Sequence, residues 1–349
     1  MRNVLIGGSE YIVEGEIGRG GMGIVLKARD LTLDRQVVIK LMRDETHSLD
    51  REQFRREGRM LAKLPPERGV VPVHAVDEVW WDGRPRLCLV MGFVDGRSLA
   101  ECARASPAPP VSAVLTWSAQ VCEALAVAHK KGVIHRDVKP SNVMIAEDRA
   151  WLIDFGIART EGYRSASTGL PAGTLPYMSP EQAAYLPLTA LSDLYSVGVM
   201  LYQLLTGELP FQDRWEEGAL SYLTTLSTAY PPSLTGGPHG LGVVMDCLLR
   251  RIASGRRPYR DASSAAKDLM TAAASCRRAE RGEIPPLSPL RIVDDLGNER
   301  VPAKGVVEIG AEISYAPERT ESDPPAWASP TQSHDTYLDW QRRHRFRNR

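Results

Sequence analysis

His135-Arg136-Asp137-Val138-Lys139-Pro140-Ser141-Asn142, followed closely by Asp154-Phe155-Gly156, gathers a candidate base, cations and two oxygen ligands for a metal. Phosphoryl transfer asks little covalent work of a protein. It needs a positioned hydroxyl, a metal ion to spread charge, and cations on the phosphates. Asp137 is the candidate partner of the hydroxyl, Asn142 and Asp154 are hard oxygen donors suited to Mg²⁺, and Lys139 supplies a point charge. Pro140 stiffens the loop. The bland reading is a charged connector from helix to strand. Two paired motifs at this separation argue against it.

The 349 residues suit one two-lobed domain plus extras. Apolar residues are 43% and charged residues 25%, ordinary for a globular protein. Lys+Arg and Asp+Glu are both 43, so no overall field favours nucleic acid. No apolar run approaches the roughly 20 residues that span a bilayer, and the richest, Val197 to Leu205, is short and contains Gln203. The N-terminal MRNVLIGGSEY has too little apolar length for a secretory signal. Cys88, Cys102, Cys122, Cys247 and Cys276 form no CxxC pair, which argues against a zinc site or disulfide framework and fits a cytoplasmic setting.

Residues 1–10 read as a lead-in. Three strands follow between 11 and 43 (YIVEGEIG, GIVLKARD and RQVVIKLM), with alternation of period two. Residues 48–64 carry Phe54, Leu61 and Leu64 at helical spacing and end at Pro65-Pro66. Two more strands are expected near Val70–Val76 and Arg86–Met91, and 111–275 reads as mostly helical with loops at 132–181. The fold class is α+β: a strand-rich lobe over about 11–92, a helical lobe over about 93–275, and a cleft between them. From 276 the chain turns Pro-rich, with β-like runs at Arg291–Val293 and Val306–Tyr315 and an Arg-rich end, RRHRFRNR.

Gly18-Arg19-Gly20-Gly21-Met22-Gly23 sits between two strands, whereas a dinucleotide-binding loop runs from strand into helix. Strand to strand, backbone N–H groups cover phosphates and glycine permits close approach. Val37-Val38-Ile39-Lys40 ends a strand in a lysine, and Glu57 lies mid-helix, whereas Glu52 is near a helix start and Glu67 is past the prolines.

Together these motifs resemble the eukaryotic-type protein kinases, over about 11–275, and look closest to the bacterial serine/threonine kinases. The resemblance implies a two-lobed kinase fold using ATP with Mg²⁺, or Mn²⁺ in its place. ATP would lie against Ile17, Gly18, Arg19, Gly20, Gly21, Met22, Gly23, Val25, Val38, Lys40, Met91, Gly92, Val94 and Met144. Lys40 would grip the α and β phosphates, held by Glu57, with Leu61 stacked on Phe155 and His135 once the helix swings in. Arg136 would receive a phosphorylated loop residue, Ser167 or Thr168. Thr174 would sit with Asp137 and Lys139 in the segment 173–181 that receives the substrate. Glu181 would pair with Arg257 (Arg256 as runner-up), and Asp193 would hold the catalytic loop, leaving Gly156 in the metal-binding turn.

Four departures stand out. Val38 replaces alanine and narrows the adenine pocket, Gly92 replaces the hinge glutamate after the gatekeeper Met91, and Ser179 replaces alanine before Pro180. Many relatives carry a membrane span and sensor after the kinase domain, and neither is expected here. The expected partners are Ser/Thr-bearing proteins and a transient homodimer that phosphorylates in trans. The second reading is a pseudokinase or nucleotide-binding scaffold, disfavoured because Lys40, Glu57, Asp137, Asn142 and Asp154 are all present. For the tail, a solvated chain with a small β element on the kinase is preferred to a nucleic-acid-binding or adaptor arm.

Overall fold

The computed structural model describes residues 2–20, 23–42, 48–66, 69–156, 175–249, 259–294 and 296–302. The calls on Gly21, Met22, Ser167, Thr168, Thr174, Arg256, Arg257 and Val306–Tyr315 lie outside them.

The N-terminal lobe is one antiparallel sheet of six strands: β1 (Arg2–Ile6), β2 (Ser9–Gly20), β3 (Gly23–Asp30), β4 (Arg35–Met42), β5 (Val73–Trp81) and β6 (Arg84–Gly92), in the order β1-β2-β3-β4-β6-β5. Residues 2–6 are thus not a mere lead-in, because they pair with β2 and bury Val4 and Ile6. The two sheet edges are tied together where the Arg2 guanidinium lies 4.1 Å from the Trp81 ring centroid and 3.4 Å from Asp82. One face of the sheet closes on itself around Ile6, Leu26, Ile39 and Val90. The other turns toward α1 (Ser48–Leu61), whose Phe54 and Leu61 join Leu87, Leu89 and Met91 in a core that continues into the helical lobe. Gly58 lets α1 lie close, since a Cβ there would fall 2.6 Å from Val76 Cγ2.

The helical lobe holds α2 (Leu99–Ala103), α3 (Val111–Lys130), α4 (Pro180–Ala183), α5 (Ala190–Thr206), α6 (Gln212–Glu216), α7 (Ala219–Thr228), α8 (Leu241–Leu248) and α9 (Ala262–Glu280). α5 is apolar on nearly all sides and is accordingly buried along its length. α3 corrects the sequence reading of apolar runs: it is long and apolar enough to cross a membrane by length and composition, although polar residues interrupt it. Here 67% of its apolar window is buried inside the protein. A small sheet, in the order β7 (Arg97–Ser98), β8 (Val143–Ala146) and β9 (Arg149–Leu152), has its last two strands within the 135–156 stretch.

A third sheet comes from the Pro-rich region. β11 (Arg291–Val293) pairs with β10 (Ser233–Thr235) on one side and with β12 (Glu299–Arg300) on the other. The expected strand at Arg291–Val293 is present. The described partner across the turn is Glu299–Arg300, nearer than the run at 306–315, because Asp294 accepts from the Asn298 and Leu296 N–H groups and closes the turn early.

Candidate active site

Strand register builds the roof of the cleft. Val25 faces Lys40, Val38 faces Met91, and Lys40 faces Leu89. Period-two alternation therefore puts Val38 and Lys40 on one face, opposite the self-closing core. Gly23 has φ +140°, and a Cβ there would lie 1.8 Å from the Leu41 oxygen, so only glycine returns the loop into β3. Ile17 is exposed at the lip and Gly18 packs over Val25. The Arg19 side chain turns to Glu16 in a two-pronged pair (2.8 and 2.7 Å), leaving its backbone for the cleft.

Gly92 has a steric reason. A Cβ there would meet Pro72 Cγ at 3.1 Å, while the Gly92 N–H donates to the Pro72 oxygen at 2.9 Å. Any reading of adenine at Gly92 thus falls to its carbonyl. Val94 and Met144 are half-buried, and Met91 is buried.

The floor is pinned from below. Asp193, in the first turn of α5 and 1% exposed, accepts from the His135 N–H (2.8 Å), the Arg136 N–H (2.9 Å) and His129 Nε2 (2.7 Å). These bonds hold Arg136 at φ +67°, a strained conformation for a side-chain-bearing residue. His135 is fully buried, and burial pushes its pKa down against the pull of Asp193. Its Nδ1 accepts from the Asp137 N–H (3.2 Å), so Nε2 carries the proton toward the Ile153 oxygen (2.9 Å). A protonated ring would lose that acceptor. Phe155 lies on His135 with centroids 4.5 Å apart. The Gly156 N–H donates to the His135 oxygen at 2.9 Å, so both motifs are locked as one unit.

The candidate catalytic groups converge above this floor. Asp137 is 4% exposed, and its Oδ2 takes Lys139 Nζ at 3.1 Å. Asn142 Nδ2 donates to the Asp137 backbone oxygen (2.8 Å) and to Oδ2 (3.0 Å). With both amide hydrogens so used, the Asn142 oxygen is the end left for a cation. Asp154, at φ +62°, is ion-paired with Lys40. Burial works against its charge, but the Lys40 ammonium, helped by Lys139, outweighs it and holds the carboxyl below its ordinary value.

The expected Lys40–Glu57 pair is not formed. Lys40 reaches Asp154, and Glu57 instead meets the Arg136 guanidinium at 3.2 Å and Gln53 at 3.0 Å. α1 lies so that Glu57 looks onto the catalytic loop, where a forked guanidinium is the nearer partner. Leu61 and Phe155 are both buried in the core that joins the lobes.

Sequence reading missed the supports of the 175–181 segment. Its 3₁₀ turn, Leu175–Tyr177, is tied to α7 by Tyr222, whose hydroxyl donates to the Pro176 oxygen at 2.6 Å. It is tied to α5 by Tyr177, whose hydroxyl donates to Gln203 Oε1 at 2.5 Å. Ser179 is no idle replacement for alanine. It caps α4 reciprocally with Gln182, whose Nε2 then donates to the Arg136 oxygen at 2.8 Å. The spacing Ser179-x-x-Gln182 before a helix was a legible signal; the tyrosine contacts were not. Glu181 is largely buried at the start of α4.

Comparison with known proteins agrees with this geometry. The family model for the protein kinase domain matches residues 11–282. Serine/threonine-protein kinase pkn2 of Myxococcus xanthus is 36% identical over 313 residues, covering 84% of this chain and 36% of the relative. PknL of Mycobacterium tuberculosis is 37% identical over 270 residues, covering 75% of this chain and 65% of the relative. The chain thus spans only part of these relatives. A cysteine-to-alanine variant of the M. tuberculosis PknI kinase domain superposes with a TM-score of 0.56 at 25% identity, covering 76% of this chain and 95% of that one. With the roof, the pinned floor and the family match together, the chain belongs to the protein kinase domain family, in its bacterial Hanks-type serine/threonine branch.

Proposed function

We propose that this chain is a serine/threonine protein kinase that transfers the γ-phosphoryl group of ATP to Ser or Thr hydroxyls of proteins. The observation that carries the reading is the convergence of Asp137, Lys139, Asn142, Asp154 and Lys40 on one cleft. Asp137 orients the acceptor hydroxyl and takes its proton late, as a loose transition state asks for position more than basicity. Lys139 neutralises the transferred phosphoryl group. Lys40 leaves Asp154 for the α and β phosphates when nucleotide enters.

The donor set suits a hard divalent cation. Asn142 offers an amide oxygen and Asp154 a carboxylate. Among the described residues no group of three or more His, Cys, Asp or Glu side chains is placed to hold a metal, so a cation here would rest on Asn142 and Asp154 together with non-protein ligands. Mg²⁺ (Mn²⁺ in its place) would supply charge neutralisation between the phosphates when bound. Asp154 and Asn142 would hold it.

Activation follows from the Glu57–Arg136 contact. Phosphate on Ser167 or Thr168, added in trans by a transient second copy, competes for Arg136 and releases Glu57 toward Lys40. A cytoplasmic setting suits five cysteines that form no disulfide, of which burial pushes Cys88 and Cys122 up to about 12. The second reading, a nucleotide-binding scaffold, is favoured only by the unformed Lys40–Glu57 pair. Labelled γ-phosphate separates the two. Transfer to a generic protein substrate is expected from the wild type and reduced at least about 100-fold in Asp137→Asn. Equal labelling by both would remove Asp137 from the chemistry, and none by the wild type would favour the scaffold.

A further inference from the structure

The family match ends at residue 282, yet the chain goes on to build a fitted element over 283–294 and 296–302. Ile292 is 1% exposed and lies opposite Leu234 in the β10–β11 ladder. The preceding residues lie against the turn after β10. The Gly237 N–H donates to the Ser288 oxygen at 2.8 Å, and a Cβ at Gly236 would come 2.1 Å from the Pro289 oxygen. At the far end, Arg300 grips Glu208 with two bonds of 2.7 and 2.6 Å. Glu208 stands just before α6, and β10 stands just after α7. The extension therefore holds the 208–237 stretch at both of its ends.

The middle of that stretch holds the segment that faces the substrate. Phe211 and Trp215 meet the Tyr222 ring edge-on, with centroids 6.3 and 5.5 Å away. Tyr222, fully buried, donates to the Pro176 oxygen at 2.6 Å. A continuous packed path thus runs from Arg300 through Glu208, α6 and Tyr222 to Leu175–Tyr177.

We propose that residues 283–294 and 296–302 form a clasp that sets the 175–177 turn for protein substrates, with Arg300 as its positioning residue. The proposal rests on the kinase reading for what that turn receives. Arg300 touches neither ATP nor the reacting atoms, so its loss should act on protein binding and not on the chemical step.

The test uses the full chain with Arg300→Glu and Arg300→Lys, and the Lys40→Met form of the chain as protein substrate. Arg300→Glu should raise the KM for that protein about fivefold, the scale of one partly exposed two-pronged pair, with kcat and the KM for ATP within about twofold. Arg300→Lys keeps the charge but loses the second prong, and should fall between wild type and Arg300→Glu. Hydrogen exchange provides a readout independent of catalysis: Arg300→Glu should speed exchange at 175–181 and in α7 while the N-terminal sheet is unchanged. An unchanged protein KM, an equal rise in the KM for ATP, or faster exchange confined to 291–302 would overturn the clasp. Absence of transfer by the wild type would count against the kinase reading instead, and the exchange pattern would then decide the clasp alone.

Discussion

Replacing Asp193 with alanine is expected to lower the unfolding free energy by roughly 3–5 kcal/mol and to cut phosphoryl transfer at least about 100-fold. The carboxylate is 1% exposed and satisfies three donors, two of them the backbone N–H groups of His135 and Arg136. Removing it leaves those N–H groups buried without their acceptor, at roughly 1–3 kcal/mol each. It also frees the strained Arg136 backbone, which sits between the locked His135 and Asp137. Asp137 would then lose position, and position is most of what the transition state asks of it. Asparagine keeps the size and one acceptor, so Asp193→Asn should fall between alanine and wild type. Urea unfolding alongside initial transfer rates checks both halves. A variant that keeps full stability and activity would mean that the loop is held by other means.

Asp154→Asn is expected to reduce transfer by about 10³-fold or more while changing nucleotide affinity by less than about tenfold. The substitution keeps the volume but removes the charge that pairs with Lys40 and one of the two carboxylate oxygens that would hold the cation. Lys40 remains to hold phosphates, so binding suffers less than the reaction. Asn142→Ala should be nearly as damaging for a second reason, since Asn142 also ties the backbone oxygen and Oδ2 of Asp137. Nucleotide binding followed by fluorescence, set beside single-turnover transfer, separates the two effects. Equal losses in affinity and rate in Asp154→Asn would assign that residue to nucleotide binding.

Local rules reached much of this molecule. β2, β3, β4 and α1 were legible because each carries its own period, while Asp137, Asn142 and Asp154 were singled out by the motifs at 135–142 and 154–156. β1 is also encoded locally, since Gly7-Gly8 between RNVLI and SEYIV is a two-residue hairpin signal, although residues 1–10 read on composition as a lead-in. The partner of Glu57 was misjudged for a different reason. Sequence says that a helix carries the glutamate, but the choice between Lys40 and Arg136 depends on how α1 sits on the lobe below. The Tyr222–Pro176 and Arg300–Glu208 contacts join residues far apart in the chain, and no periodicity encodes such pairs.

Peptide mapping by mass spectrometry, after incubation of the chain with ATP and Mg²⁺, tests the central claim most directly. The site described here predicts phosphate on Ser167, Thr168 or another hydroxyl between Asp154 and Glu181 in the wild type, and none in Asp137→Asn or Lys40→Met. Phosphate accumulating equally in all three proteins, or in none, would contradict it.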